Sequence, residues 1–220
     1  MKSEYKIFMV GNSRNYAKWF PLPFEFTNKK EEADIAWWIG GADVNPSIYN
    51  EKRGPRVYVD EEASRYELSM WNYFKDRKNV LKIGVCKGSQ NLAAFNGGKV
   101  VQHMRHPSHH YLLTKEGLVK ENLIEEVVST HHNQMIVDEK VTGLKENEDY
   151  ELVAWTDRLS PFHLNGEDND YQFPADYREP EIVFFPKTKS LAIQTHPEMH
   201  DSKDEIVKVC QRLVVEKLLH

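Results

Sequence analysis

A cysteine flanked by two glycines is the residue of this sequence with the clearest chemical potential. Residues 84–88 read Gly-Val-Cys-Lys-Gly, after an apolar run, Val80–Val85, that predicts a buried strand, and before apolar residues at helical spacing. Gly-x-Cys-x-Gly between a strand and a helix is the cysteine form of the nucleophile elbow. The positive helix end favours a thiolate at Cys86, and the amide of Lys87 could stabilise an oxyanion. A buried thiol at a strand-to-loop junction is the alternative, and the paired glycines favour the nucleophile.

A histidine and a glutamate near the end of the chain supply the groups that a thiol nucleophile needs. Residues 190–194 predict a strand, which leads directly into Thr-His-Pro-Glu at 195–198. His196 can act as general base, and Glu198 can orient its imidazole. A capping histidine and glutamate in a loop is the common alternative. The presence of the elbow favours a catalytic triad of Cys86, His196 and Glu198.

Together these segments resemble the class I glutamine amidotransferase superfamily, and within it the gamma-glutamyl hydrolase-like branch (peptidase C26, the group that includes gamma-glutamyl-GABA hydrolases). The resemblance rests on residues 84–90 and 194–198, and on Gly-Gly-Ala-Asp-Val-Asn-Pro-Ser-Ile-Tyr at 40–49. It extends to residues 129–134. It also includes Asp60, Arg65 and Glu67, in the predicted helix that follows residues 40–49. The matches occur in the family's order over residues 34 to 200.

The resemblance implies a cysteine-dependent hydrolase that cleaves gamma-glutamyl amides, or glutamine, through a thioester. It also implies that the amide of Gly41 completes the oxyanion hole with Lys87. The substrate-binding residues that it suggests are Gly40, Gln90, His132, Asn133 and Gln134. Gln90 could instead pack the elbow, and the histidine pair at 131–132 could be a solvated strand end.

Two other functional readings follow from the same residues. The chain could be the glutaminase subunit of an amidotransferase that delivers ammonia to a separate synthetase. Besides the gamma-glutamyl substrate, the partners considered are such a synthetase or a second copy of the chain. A catalytically silent binding protein is the third reading, and the intact Cys86, His196 and Glu198 argue against it.

The pattern of elements predicts one α/β domain over residues 1–220, with a mostly parallel, flavodoxin-like sheet flanked by helices. The predicted strands are residues 5–10, 34–39, 56–59, 80–85, 99–101, 150–155, 181–185 and 190–194, and the predicted helices are residues 61–77 and 203–219. Cys210 lies on the apolar face of the last helix and is predicted to be a core thiol.

Residues 157–180 form a polar, aromatic and proline-rich insertion relative to the resembled family. Acidic residues interleaved with aromatic ones would suit a rim that receives a cationic amine. A solvent loop or a partner surface is the alternative.

The charge and composition of the chain indicate which kinds of partner it could bind. The chain has 220 residues, a net charge of −5 and no long basic run, which argues against nucleic acid and membrane surfaces. Two cysteines make no disulfide framework, and no leader or membrane span is expected, so a reducing cytoplasmic setting is predicted.

Four of the ten histidines lie in residues 103–110. Their spacing is irregular and no cysteine or acidic cluster adjoins them, so we expect neither a metal nor another cofactor.

Overall fold

The computed structural model describes residues 2–105, 107–128 and 133–219, and its centre is a nine-stranded sheet. The chain carries thirteen strands among these residues: β1 Tyr5–Val10, β2 Phe24–Phe26, β3 Ile35–Trp38, β4 Leu81–Val85, β5 Lys99–Val101, β6 His103–Met104, β7 His109–Thr114, β8 Leu123–Val128, β9 Gln134–Ile136, β10 Glu151–Thr156, β11 His163–Leu164, β12 Glu179–Phe185 and β13 Ser190–Ile193. Its four α-helices are α1 Glu61–Phe74, α2 Lys87–Phe95, α3 Glu139–Thr142 and α4 Glu205–Leu219.

The sheet has two halves with different strand directions. Its order is β2-β1-β3-β4-β13-β12-β10-β7-β8, and the pairs from β2 to β13 are parallel. The pairs from β13 to β8 are antiparallel. Because β4 and β13 are parallel neighbours, the residues that follow them meet at one edge of the sheet. This topology brings residue 86 and residue 196 together across 110 positions of sequence.

Helices cover both faces of the sheet and bury two apolar layers. The central strands β3, β4 and β13 are buried along their whole length, as expected of strands covered on both faces. One layer packs α4 against the sheet, and the other packs α1 and α2 against its opposite face. The predicted α/β fold is confirmed. Among the described residues, no helix is both long and apolar enough to span a membrane.

The predicted strand at residues 56–59 is wrong. This segment is a loop that bonds Asp43 rather than a strand: Asp43 N–H donates to Tyr58 O, and Tyr58 N–H donates to the Asp43 side chain. The apolar residues Val57 and Val59 are buried, but they pack as a loop beside the segment that follows β3.

Strands β7 and β8 were not predicted. Along β7 the side chains alternate, with His110, Leu112 and Thr114 facing inward. In β8 the adjacent Glu125 and Glu126 are both exposed. Histidines and charged residues occupy much of this hairpin, so its period-two pattern is weak in the sequence. Within the histidine-rich segment, His109 and His110 therefore belong to the central sheet, and His103 lies in β6, which pairs with β11.

The 157–180 insertion is an ordered part of the fold. Tyr171 donates to both carboxylate oxygens of Glu51, at 2.5 and 2.6 Å, and Lys52 pairs with Glu167 at 2.6 Å. Tyr171 and Tyr177 are buried, so the expectation that these rings line a rim is wrong for both. Tyr171 packs with Val101, Met104 and Ile136, and the ring of Tyr177 stacks on that of Phe173.

Candidate functional site

Cys86 lies in the turn between β4 and α2 with a left-handed backbone, φ 55° and ψ −119°. Such a conformation is costly for a residue with a side chain and concentrates at functional sites. The flanking glycines are required by packing. A Cβ at Gly84 would lie 2.3 Å from Gly88 O, and one at Gly88 would lie 2.2 Å from Trp38 O. The tight turn leaves Cys86 partly exposed at the start of α2, whereas Cys210 is buried.

His196 and Glu198 form a buried pair in the turn that follows β13. His196 Nδ1 and Glu198 Oε1 are 2.7 Å apart. Burial alone lowers the pKa of His196, but hydrogen bonds and charge interactions with Cys86 and Glu198 outweigh it and raise that pKa to about 10. An imidazole placed between a thiol and a carboxylate is the arrangement that a cysteine nucleophile and its base need. The three predicted triad residues are therefore brought together.

Lys87 is held by a buried ion pair with α1. Its Nζ lies 2.6 Å from each carboxylate oxygen of Glu67, and Asn91 donates to the same carboxylate at 3.0 Å. The side chain of Lys87 is therefore engaged away from the thiol. What Lys87 can offer to a bound substrate is its backbone N–H at the start of α2.

Gly40 and Gly41 follow β3 beside the elbow. A Cβ at Gly40 would lie 3.5 Å from Cys86 Cβ and 2.4 Å from the hydroxyl of Tyr16, so no side chain fits there. Gly41 lies next to Lys87, with 3.9 Å between a Cβ placed on the glycine and Lys87 Cδ. The backbone amides of Gly41 and Lys87 thus belong to adjacent segments near the thiol.

Tyr16 was not predicted, although it lies close to all three triad residues. Its ring centroid is 6.3 Å from that of His196. Burial, followed by the negative charges of Cys86 and Glu198, raises the pKa of Tyr16 to about 12, and a hydrogen bond from Gly40 N–H opposes this. The hydroxyl therefore stays protonated at neutral pH. The sequence offered only one signal, that residue 16 follows the first strand at the edge where the nucleophile lies.

The predicted substrate-binding residues fall into different environments. Gln90 is buried and donates to Asn133 O at 2.9 Å, and Asn133 donates to the Asp43 carboxylate at 2.6 Å. This chain of bonds ties α2 to the Gly-Gly loop. Gln134 is fully buried and donates to Pro180 O at 2.5 Å. His132 lies outside the described residues.

No group of three or more histidine, cysteine or acidic side chains suited to a metal ion occurs in the described part of the chain.

A family model described as Peptidase C26 matches residues 31–148, just over half of the chain. This range includes Cys86 and ends before His196. The glutamine amidotransferase-like protein YvdE of Lactococcus lactis is 29% identical over 119 residues, which cover 45% of this chain and 49% of that protein. The chain therefore spans about half the length of this curated relative.

Solved structures show the same fold at low sequence identity. A protein described as a GMP synthase subunit from Thermoplasma acidophilum aligns with a TM-score of 0.57 and 17% identity, covering 99% of each chain. A glutamine amidotransferase from Thermotoga maritima aligns with a TM-score of 0.55 and 12% identity, covering 98% of this chain and 86% of that one. PurLQS from Thermotoga maritima aligns with a TM-score of 0.52 and 12% identity, covering 100% of this chain and 98% of that one.

Proposed function

This chain belongs to the Peptidase C26 family, and from that membership we propose that it hydrolyses gamma-glutamyl amide bonds through a thioester on Cys86. The observation that carries the proposal is the strained Cys86 at the start of α2, next to a His196 that also bonds Glu198. This arrangement supplies a nucleophile, a proton donor and the group that orients the donor.

The first half of the reaction forms the thioester. The Cys86 thiolate attacks the gamma-carbonyl carbon, an S–C bond forms, and the carbonyl electron pair moves to oxygen. The backbone N–H groups of Gly41 and Lys87 are the proposed donors to this oxyanion. When the intermediate collapses, the C–N bond breaks and His196 gives its proton to the departing amine.

The second half releases glutamate. His196, now neutral, takes a proton from water, and the resulting hydroxide attacks the thioester carbon. Collapse of this second intermediate breaks the S–C bond and restores the thiolate of Cys86 beside a protonated His196. Glu198 accepts a hydrogen bond from Nδ1 throughout and stabilises the positive imidazole.

The proposal assigns the gamma-glutamyl group of the substrate and leaves the amine that departs from it unassigned. The insertion was expected to attract cationic amines through its carboxylates, but Glu167 pairs with Lys52 and Asp170 lies 3.7 Å from Arg158. Partnered carboxylates attract a distant cation less than free ones do. We therefore place no preference on the charge of the amine.

Glutamate release from a panel of substrates tests the proposal. Glutamine, gamma-glutamyl-GABA and a gamma-glutamyl diamine are incubated with the protein, with the Cys86→Ser variant as control. We expect glutamate from at least one substrate with the native protein and none above background with the variant. Equal release from both proteins would contradict the proposal.

A glutaminase subunit is a second candidate, favoured by the fold shared with PurLQS and with the protein described as a GMP synthase subunit. Such a subunit would hydrolyse glutamine slowly by itself and faster with a synthetase. Fast turnover of a gamma-glutamyl amine by the isolated chain favours the stand-alone hydrolase.

A further inference from the structure

The ring of His200 connects the edge strand β8 to the turn that carries His196 and Glu198. Val128, the last residue of β8, uses both of its backbone groups for this connection. Its N–H donates to His200 Nε2 at 2.9 Å, and its carbonyl accepts from His196 N–H at 3.1 Å. The turn is also closed within itself, because His200 N–H donates to Pro197 O.

These bonds determine where the ring of His200 carries its proton. A backbone N–H can only donate, so Nε2 must present a lone pair to Val128. Nδ1 lies 3.1 Å from Asp204 Oδ2, an acceptor, and therefore carries the hydrogen. His200 must be the neutral Nδ1–H tautomer for both bonds to exist.

We propose that His200 is a positioning residue for the triad, and that taking up a second proton on its ring releases the catalytic turn from β8. Nε2–H would then face the N–H of Val128, two donors with no acceptor between them. The turn would lose the bond that fixes its far end, while the His196 N–H bond at its near end remains. The effect on catalysis rests on the proposed function, but the tautomer does not.

Charged groups lie beside this connection. A cavity of about 620 Å³ beside His200 is lined by Lys120, Glu121, Glu125 and Glu126 before and along β8, and by Asp204 and Glu205 at the start of α4. Several ionisable side chains besides His200 therefore border the connection. A pH profile of the native protein alone therefore cannot identify the titrating group, and matched variants are needed.

Three variants test whether the ring of His200, rather than a neighbouring charged group, positions the catalytic turn. His200→Ala removes the acceptor. His200→Gln keeps an amide oxygen that can accept from Val128 N–H and cannot take up a proton. His109→Gln replaces an exposed histidine of β7 and serves as the control.

Kinetics with the best substrate of the panel give the first readout. We expect His200→Ala to lower kcat about 10- to 100-fold with little change in KM, because small misplacement of a catalytic group is costly. His200→Gln should recover most of this loss and should lack the fall in kcat toward acid pH that histidine protonation causes. His109→Gln should retain the native profile.

Nitrogen-15 NMR of the histidine rings gives the second readout and needs no substrate. The signals that disappear in His200→Gln should show the Nδ1–H tautomer at neutral pH. An Nε2–H tautomer would overturn the proposal, as would native kcat and pH profile in His200→Ala, or a His200→Gln variant no more active than His200→Ala. If no gamma-glutamyl amide is hydrolysed, the proposed function fails. The tautomer of His200, measured by NMR without substrate, still tests the connection between the catalytic turn and β8.

Discussion

The reactivity of Cys86 comes from its backbone as much as from its neighbours. The left-handed φ of 55° points the thiol out of the sheet edge, and the turn is possible because Gly84 and Gly88 carry no side chains. Cys210, on α4, is fully buried, and burial raises the pKa of its thiol well above the ordinary value. The two cysteines of the chain therefore differ sharply in environment.

Alkylation should distinguish the two thiols. We expect iodoacetamide to modify Cys86 first at neutral pH, because a thiolate beside an imidazolium reacts faster than a buried neutral thiol. Peptide mass mapping of partly modified protein measures the order. The Cys86→Ser variant should have no turnover and should be alkylated more slowly than the native protein. Preferential labelling of Cys210 in the native protein would contradict the elbow assignment.

The pH dependence of the reaction should follow His196. This residue must be protonated to give a proton to the amine, and its pKa is raised to about 10, so kcat/KM should fall as pH rises through about 10. Glu198 contributes a hydrogen bond and a negative charge that raise this pKa. Glu198→Gln should therefore move the alkaline limb to lower pH, as measured by pH-rate profiles. An alkaline limb at the same pH in both proteins would show that Glu198 does not set it.

Tyr16 should support the Gly-Gly loop through its hydroxyl. The hydroxyl accepts from Gly40 N–H and remains a donor at neutral pH. Removing one neutral hydrogen bond costs about 0.5 to 1.5 kcal/mol, so Tyr16→Phe should lower kcat/KM about 2- to 10-fold. Tyr58→Phe, at an exposed tyrosine, is the control and should have no effect. Equal rates for both variants would leave Tyr16 with a packing role only.

The sequence singles out Cys86, His196 and Glu198 because these residues lie in short motifs, and the structure brings the three side chains together. Cys86 stands between glycines, and His196 and Glu198 follow a strand directly. Tyr16 and His200 carry no such pattern, since their importance depends on which strand ends meet in the fold. The side chain of Gln90 shows the same limit: it bonds Asn133 O, a partner 43 positions away that no local pattern indicates.

At the scale of elements, α1 and α2 are joined by a charge pair inside the protein. Lys87 and Glu67 are both nearly inaccessible to solvent, and Asn91 completes the carboxylate's bonds. This contact fixes the first residue of α2, whose N–H is a proposed oxyanion donor. Breaking a buried pair from one side is costly because the remaining charge is left without a partner.

Removal of the Glu67 carboxylate should therefore destabilise the protein. Glu67→Ala should lower the free energy of unfolding by about 3 to 5 kcal/mol. Glu62→Ala, at an exposed position of the same helix, is the matched control. Urea denaturation measures both. The double variant Glu67→Leu with Lys87→Met should recover much of the loss, and a failure to recover it would indicate that helix packing rather than charge is responsible.

Elements with strong periodicity were predicted from sequence, and those shaped by distant partners were not. The strand at residues 5–10 agrees with β1, and the last helix, α4, begins two residues later than predicted. The hairpin of β7 and β8 was missed because polar side chains obscure its alternation. Residues 56–59 have apolar alternation but no neighbouring strand to pair with, so they form a loop.

At the scale of the whole molecule, the 157–180 insertion packs against residues 51–54. Gly166 packs so tightly on Lys52 O that a Cβ there would lie 1.6 Å from it. Gln102 donates to Lys52 O and accepts from Gly54 N–H, and Tyr171 bonds Glu51. The insertion thus supports the segment that follows the Gly-Gly loop. Replacing it with a short linker would expose apolar surface, so point variants are better probes.

Hydrogen exchange should show that the insertion unfolds together with the sheet. Tyr171 N–H donates to His163 O at 2.9 Å and Asn165 N–H donates to Asn169 O at 2.8 Å, so both amides should be protected nearly as well as those of β12. Tyr171→Phe leaves the Glu51 carboxylate without its hydroxyl donor and should lower the free energy of unfolding by about 1 to 3 kcal/mol. Gln172→Ala, at the adjacent exposed position, is the control. Fast exchange of residues 163–171 in the native protein would mean that the insertion opens independently, and its support of the Gly-Gly loop would then fail.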